Sequence, residues 1–213
     1  MQKSQIAVTE FMRLYGQALP GVPTIPDEKT RMMRVNSLAE EVGELAQASG
    51  VILVLTAHPA APKPVVEVSI DPDAIPELEQ IADALVDAQY FVDGTANAYG
   101  LDLEPLFDEV HRANMDKLWS ADELKHMEPG WTASAVVVTY SNAIPNDKED
   151  SKYPVPVRQM FIVKRQDAKV MKPPGFKAPN LGKLLESQKC RHEGFDPDKV
   201  NPHEFDLADP NVV

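Results

Sequence analysis

A chain of 213 residues, 43% apolar and 25% charged, is long enough to bury a core and too ordinary in composition for global disorder. Its formal charge of −12 excludes a polyanion-binding surface, because gripping a nucleic-acid polymer needs clustered Lys and Arg. No run of about 18 apolar residues occurs, so no membrane span is expected, and the 19 prolines exclude a chain that is helical throughout.

In chain order, apolar spacing predicts a first helix over 5–16, with Ile6, Phe11, Met12 and Leu14 on its apolar side. The opening MQKSQIAVTEFMRLYGQ is amphipathic rather than a signal peptide, and Cys190 is the only cysteine, so a reducing cytoplasm is the expected location. GQALPGVPTIPDE holds three prolines and reads as an extended, wrapped segment. A second helix is predicted over 27–49, where Met32, Met33, Val35, Leu38, Val42, Leu45 and Ala46 recur at helical spacing. The apolar piece VILVLT prolongs it to about 56 in this reading, and the proline-rich stretch of 57–75 is a loop.

A third helix runs over 76–99, with Pro76 in its first turn and Gly100 closing it. A fourth spans 103–118 with Asp102 as N-cap, and ADELKHM adds a short helical turn. After Trp131 the composition turns β-branched. ASAVVVTY and RQMFIVKRQDAKVM flank the polar IPNDKEDSKYP and predict a β-ribbon near 134–171. KPPGFKAPNL is coil, and the tail from about 190 is extended. The expected architecture is an all-α core of four to five helices with an appended β-ribbon. Its expected parts are a helical core over 1–131, the ribbon and KPPG segment over 132–189, and a tail over 190–213.

Two acidic clusters carry the chemistry. In NSLAEEVGEL, Glu40, Glu41 and Glu44 lie three and four residues apart and share one helix face. A solvated face explains such a trio on its own. In ELEQIADALVDAQYFVDG, however, Glu79, Asp83 and Asp87 follow at four-residue intervals, and Asp83 and Asp87 border positions expected to be buried. Unpaired buried carboxylates are expensive, and two such helices packed antiparallel would surround one point with carboxylate oxygens. Mg²⁺ or Mn²⁺, hard cations with oxygen ligands, resolve that conflict; Zn²⁺ fits less well without His or Cys. Carboxylate-held metal without a nucleophilic Ser or Cys points to phosphate chemistry. Arg112, Asn114 and Lys117 in EVHRANMDKLW, with Lys169 and Lys172 in KVMKPPGF, are candidate phosphate holders. The five histidines are dispersed, and none is promoted to chemistry.

The pieces EFMRLYGQ with TIPDE, RVNSLAEEVGEL, ADALVDAQYFVDGTANAYG, LFDEVHRANMDKLW and KVMKPPGFKAPNL stand in one order. Together they resemble the MazG-like, all-α nucleoside triphosphate pyrophosphohydrolases, nearest the branch of phage and bacterial dimeric enzymes. The resemblance implies a MazG-like bundle in which Glu41 and Glu44 bind metal through EExxE. Glu40 becomes a further ligand or the residue that orients the attacking water. The family's second motif, ExxD, places its aspartate at Asp87 and its glutamate at Ala84, which cannot ligate. Asp83, one position earlier on the same face, is the substitute ligand, with Glu79 in an outer shell. Arg112 and Lys117 would hold phosphates, with Lys172 closing over them, and Arg34 matches a basic position that a structural ion pair explains equally well. Asn114 would contact sugar or phosphate, and Gln17 and Trp119 are base-pocket candidates. The implied reaction is metal-dependent cleavage of a purine deoxynucleoside triphosphate or dUTP to monophosphate and pyrophosphate by a homodimer or homotetramer. Phosphoribosyl-ATP is the rival substrate, and a non-catalytic helical binding module is the rival of a different class.

Overall fold

The computed structural model describes residues 1–139 and 157–191, which divide into two compact units. One is Met1–Glu104 with the segment from Gly182 onward; the other is Pro105–Leu181.

The first unit is organised by an antiparallel pair of long helices, α2 (Glu28–Ala48) and α3 (Leu78–Ala98). α2 starts where the sequence places it, because the Asp27 carboxylate accepts from the Thr30 N–H at 2.9 Å and from its hydroxyl at 2.8 Å. Both ends of the pair are tied by backbone bonds. The Glu77 N–H donates to the Ala48 carbonyl at 3.0 Å, and the Thr24 N–H donates to the Tyr99 carbonyl at 2.9 Å. These two ties make the pair antiparallel and bring Asp87 and Asp83 of α3 towards Glu41. Gly100 ends α3 with φ +65°, and a Cβ there would sit 2.3 Å from the Val22 carbonyl oxygen. The proline-rich segment thus crosses directly against the end of α3, as an extended strap.

α1 (Lys3–Leu14) packs on α3 around Val8, Met12 and Ala98, with Leu19 against them. The expected face is rotated. Gln5 and Val8 point inward with Met12, whereas Phe11 and Leu14 are exposed. Gln5 is a buried polar clamp. Its amide donates to Asn97 Oδ1 at 3.0 Å and to the Leu101 carbonyl at 2.6 Å, and its Oε1 accepts from the Leu103 N–H at 3.2 Å. Because every polar atom finds a partner, the amide fixes α1 against the α3–α4 turn at no desolvation penalty.

Three expectations are corrected or extended. VILVLT is not helix but strand β1 (Val51–Thr56), antiparallel to β2 (Val65–Ile70), so part of the expected 57–75 loop is strand as well. Gly50, at φ +65°, breaks the helix, and the β-branched run beyond it favours extended backbone. α4 (Leu103–Met115) stops before 118; its start carries the expected cap, Asp102 Oδ1 accepting from the Glu104 N–H at 3.2 Å. The third is an addition, α5 (Leu181–Arg191), a helix between the KPPGFKAPNL coil and the expected tail, where the sequence pattern named no element. It is tied back by Gln188, whose side chain exchanges two hydrogen bonds with the Asp102 backbone at 3.1 and 2.8 Å.

Burial within α2 also runs against its apolar pattern. Arg34, Glu41 and Ala48, seven residues apart in turn, are the buried residues, while Met32 is 65% and Val35 67% exposed. In α3, Asp83 and Asp87 are exposed; Ala84 beside Asp83 is buried, but Leu85 and Val86, expected to be buried, are exposed.

The second unit holds the 3₁₀ turn Ala121–His126 and the ribbon β3 (Thr132–Thr139) with β4 (Val157–Lys164), paired antiparallel as expected. Trp119, 1% exposed, and Val163 are its most buried apolar side chains. The expected polar loop of the ribbon and most of the expected tail lie outside the described residues.

Two glycines separate a backbone requirement from a mere vacancy. Gly100→Ala forces a left-handed alanine into the Val22 carbonyl and is expected to cost at least about 2 kcal/mol, a Tm loss of roughly 4–8 °C. A Cβ at Gly43, exposed in mid-helix, would meet nothing within 4 Å among the described residues, so no close helix crossing among them explains that glycine. Gly43→Ala is expected to raise stability by up to about 1 kcal/mol. Thermal melts of both variants check the pair.

Candidate functional site

The buried stripe of α2 carries a carboxylate. Glu41 is 8% exposed, and its Oε2 is buried with no hydrogen-bond partner among the described residues. Burial, reinforced by the charges of Glu44, Asp87, Glu40 and Asp83, pushes its carboxyl above the ordinary glutamate value of 4.5. The antiparallel register explains that set, since it lays Asp83 and Asp87 of α3 beside the α2 turn holding the three glutamates. Of the six acids singled out in the sequence, Glu40, Glu44, Asp83 and Asp87 therefore act on the fifth, Glu41. Four remain accessible to solvent, and Glu40 is steadied by Asn36, whose Nδ2 donates to Oε1 at 2.7 Å. Glu79, one turn before Asp83, is not among the charges that act on Glu41.

Such an arrangement has electrostatic demand for a cation. A desolvated carboxylate oxygen without a donor, ringed by four others, fits a hard divalent ion bound through oxygen. The carboxylates are neighbours rather than a closed coordination sphere. Among the described residues, no three acidic, His or Cys side chains are close enough together to hold an ion, as expected of groups that repel one another.

Two turns before Glu41 on the same face sits Arg34, 6% exposed. The structure answers the question of its partner: among the described residues it makes no ion pair. Its Nη2 donates to Gln17 Oε1 at 2.8 Å and contacts Met12 Sδ at 3.7 Å, and its Nε is buried without a partner. Burial lowers the guanidinium from its ordinary value. Gly94 makes the space, because a Cβ there would lie 2.7 Å from Arg34 Nη1. That glycine, inside an otherwise regular helical pattern, is the signal sequence reasoning passed over. Arg34 and Gln17 line a cavity of about 440 Å³ between the proline-rich strap and the starts and ends of the long helices. A larger depression of about 830 Å³ is lined by α2 alone and is an open flank of that helix rather than an enclosed site.

The remaining candidates belong to the second unit. Arg112 is held by two carboxylates, Glu109 at 2.8 Å and Asp116 one turn on. The guanidinium and the Asn180 N–H hold the Glu109 carboxyl down to about 2. Lys117 Nζ donates to Asn114 Oδ1 at 2.7 Å. Lys172 lies over the Phe176 ring at 4.3 Å. Trp119 is spent on its own unit's core, its indole N–H on the Met171 carbonyl at 2.9 Å and its ring edge-on to Trp131.

Comparison with known proteins covers the same ground. An uncharacterized protein of Acanthamoeba polyphaga mimivirus is 31% identical over 103 residues, which is 45% of this chain and 36% of that protein. This chain thus spans about a third of that relative's length. The family model described as phosphoribosyl-ATP pyrophosphohydrolase matches residues 8–114, half of the chain. The matched span includes α1 from Val8 onward, α2, the β1–β2 hairpin, α3 and nearly all of α4, and with them the five carboxylates, Gln17, Arg34, Arg112 and Asn114. Matched over that span, the chain belongs to the phosphoribosyl-ATP pyrophosphohydrolase family, within the MazG-like superfamily.

Proposed function

We propose that this protein hydrolyses a nucleoside or deoxynucleoside triphosphate to the monophosphate and pyrophosphate, with Mg²⁺ or Mn²⁺ bound at the α2–α3 acids. The observation that carries the reading is Glu41: buried, with an oxygen that has no partner, and with four carboxylates raising its affinity for a proton or a metal. Glu41, Glu44, Asp83 and Asp87 would hold the ion, and Glu40, steadied by Asn36, would orient the attacking water. A bound divalent ion supplies neutralisation of the phosphate oxygens and activation of water. Arg112, Asn114, Lys117 and Lys172 are proposed to hold the phosphates, their bonds to Glu109, Asp116 and one another being exchanged for phosphate oxygens. The family name favours a second reading, in which the substrate is phosphoribosyl-ATP. Either substrate presents the same pyrophosphate bond.

We further propose a homodimer or homotetramer. Its support is the apolar side chains that α2 and α3 leave exposed, Met32, Val35, Val42, Leu85 and Val86 among them. The hairpin adds to it. Residues directly opposite in an antiparallel pair share a face, so Val51, Leu53, Leu55, Val66, Val68 and Ile70 form one side without a polar group. Among the described residues no helix is long and apolar enough to cross a membrane.

The reading is tested by pyrophosphate release from the deoxy- and ribonucleoside triphosphates, dUTP and phosphoribosyl-ATP, with Mg²⁺, Mn²⁺ or chelator. Metal-dependent release from a triphosphate supports it. Release from phosphoribosyl-ATP alone selects the second substrate, and release from none, by folded protein, leaves a binding module.

Glu41→Gln is expected to lower turnover by at least about 100-fold and to abolish the metal-induced rise in Tm. Without metal the same variant should be the more stable protein. A carboxyl whose folded pKa is raised loses stability as pH climbs, so the advantage of the amide is absent below pH 4.5 and grows above it. Melts of both proteins across pH, in chelator, read this directly. Asp83→Asn is expected to weaken Mn²⁺ binding by roughly 10–100-fold, and Glu79→Gln to leave it nearly unchanged. A calorimetric titration that gives the reverse order would remove Asp83 as the substitute ligand.

A further inference from the structure

The hairpin of β1 and β2 joins the two acid-bearing helices and has no part in the chemistry proposed above. Of its strand residues only Thr56, Glu67 and Ser69 are polar. A two-stranded sheet is at best marginally stable unless something covers it. Here every side chain of β2 is exposed. On the wholly apolar face, exposure rises from one strand to the other. Val51 and Leu53 of β1 are half-buried, whereas Val68 is 65% and Ile70 74% exposed. The uncovered strand is β2.

The backbone of β2 is open as well. The Asp71 N–H donates to the Gly50 carbonyl at 3.0 Å, which makes Val51 and Ile70, the next residues along the ladder, a non-hydrogen-bonded pair. Pair types alternate along an antiparallel ladder, so Val66, Val68 and Ile70 turn their N–H and C=O groups away from β1. Among the described residues no third strand receives them. Exposed edges are ordinarily blunted by Pro, Lys or a bulge. β2 has none of these, and its register with β1 runs unbroken from Val65 to Ile70.

We propose that β2 pairs antiparallel with the β2 of a second copy, about a two-fold axis at Val68, so that the two hairpins form one four-stranded sheet. This deepens the oligomer proposed above and rests on that reading, but not on the pyrophosphohydrolase chemistry. A second copy is the partner because β2 complements itself in one register. Centred on Glu67, the pairing would set the two Glu67 carboxylates directly opposite each other; centred on Ser69, it would set Glu67 opposite Asp71. Like charges so placed are destabilising. Centred on Val68, it sets Glu67 opposite Ser69 and Val66 opposite Ile70, and the outward backbone groups of each copy meet those of the other. Directly opposite residues share a face, so the apolar side of one hairpin continues into the other. Each copy uses the same edge, and the pair therefore closes rather than growing into a fibre.

Sedimentation of the full chain and two sets of variants test the pairing. Val68→Pro removes the outward N–H and spares the bonds to β1, which Val65, Glu67 and Ser69 make. It is expected to raise the dissociation constant of this assembly step at least about 10-fold, as for one hydrogen bond lost from each copy. In a Cys190→Ser background, Val68→Cys is expected to oxidise to a disulfide-linked dimer, because paired residues lie about 5.5 Å apart between Cα atoms, within disulfide reach. Val54→Cys, on β1 and 50% exposed, should stay unlinked under the same conditions. An assembly unchanged by Val68→Pro, no link through Val68→Cys, or an equally fast link through Val54→Cys would overturn the pairing while leaving an oligomer held by another surface. A full chain that sediments as a monomer would overturn the pairing and the oligomer together.

Discussion

Burying a glutamate between two helices, with one oxygen denied any donor, is destabilising unless something offsets it, and the α2–α3 pair is built around that cost. The backbone ties at its two ends hold the helices antiparallel, and helical spacing then brings Glu40, Glu44, Asp87 and Asp83 to act on Glu41. Each added carboxylate makes the site worse for an isolated protein and better for a divalent cation. A group of this kind is retained for what it binds rather than for stability. The same argument accounts for the stripe as a whole: Arg34 and Glu41 occupy positions that apolar residues would fill more favourably.

What α2 turns outward is the complement of that stripe. Met32, Val35 and Val42 face solvent in the single chain while a cation and an anion face α3. A helix that buries Arg34 and Glu41 and leaves Met32, Val35 and Val42 outward has faces for two neighbours, one within the chain and one beyond it. The buried cluster around Val8, Met12 and Ala98 is small for a chain of 213 residues. The proposed oligomer supplies the missing burial.

The sequence made the starts of α2 and α4 and the end of α3 legible because their causes are local. Asp27, Asp102 and Gly100 cap or stop helices through atoms a few residues away, and each acts as its type suggests. The faces were less legible. The periodicity of α1 and α2 reports that an apolar side exists, not whether the chain itself or a second copy covers it, so Val8 and Gln5 displaced Leu14 as the inward set. VILVLT is too short for periodicity to separate helix from strand, and its partner strand lies beyond a proline-rich loop. α5 does carry a signal, with Leu184, Leu185 and Gln188 at helical spacing, yet its anchoring on Asp102 is a tertiary fact. In the site, the convergence of the acids followed from spacing plus an antiparallel pair. The Arg34–Gln17–Gly94 arrangement did not, because the meaning of a helix glycine depends on which side chain crosses it.

The central claim is that the carboxylates around Glu41 form a divalent-cation site, and a crystal structure grown with Mn²⁺ and measured for anomalous scattering tests it most directly. The account expects a Mn²⁺ peak between α2 and α3, at ligating distance from Glu41 and from at least one aspartate of α3. A well-ordered Glu41 with no peak beside it at saturating Mn²⁺, or Mn²⁺ bound only to acids elsewhere on the chain, would contradict it.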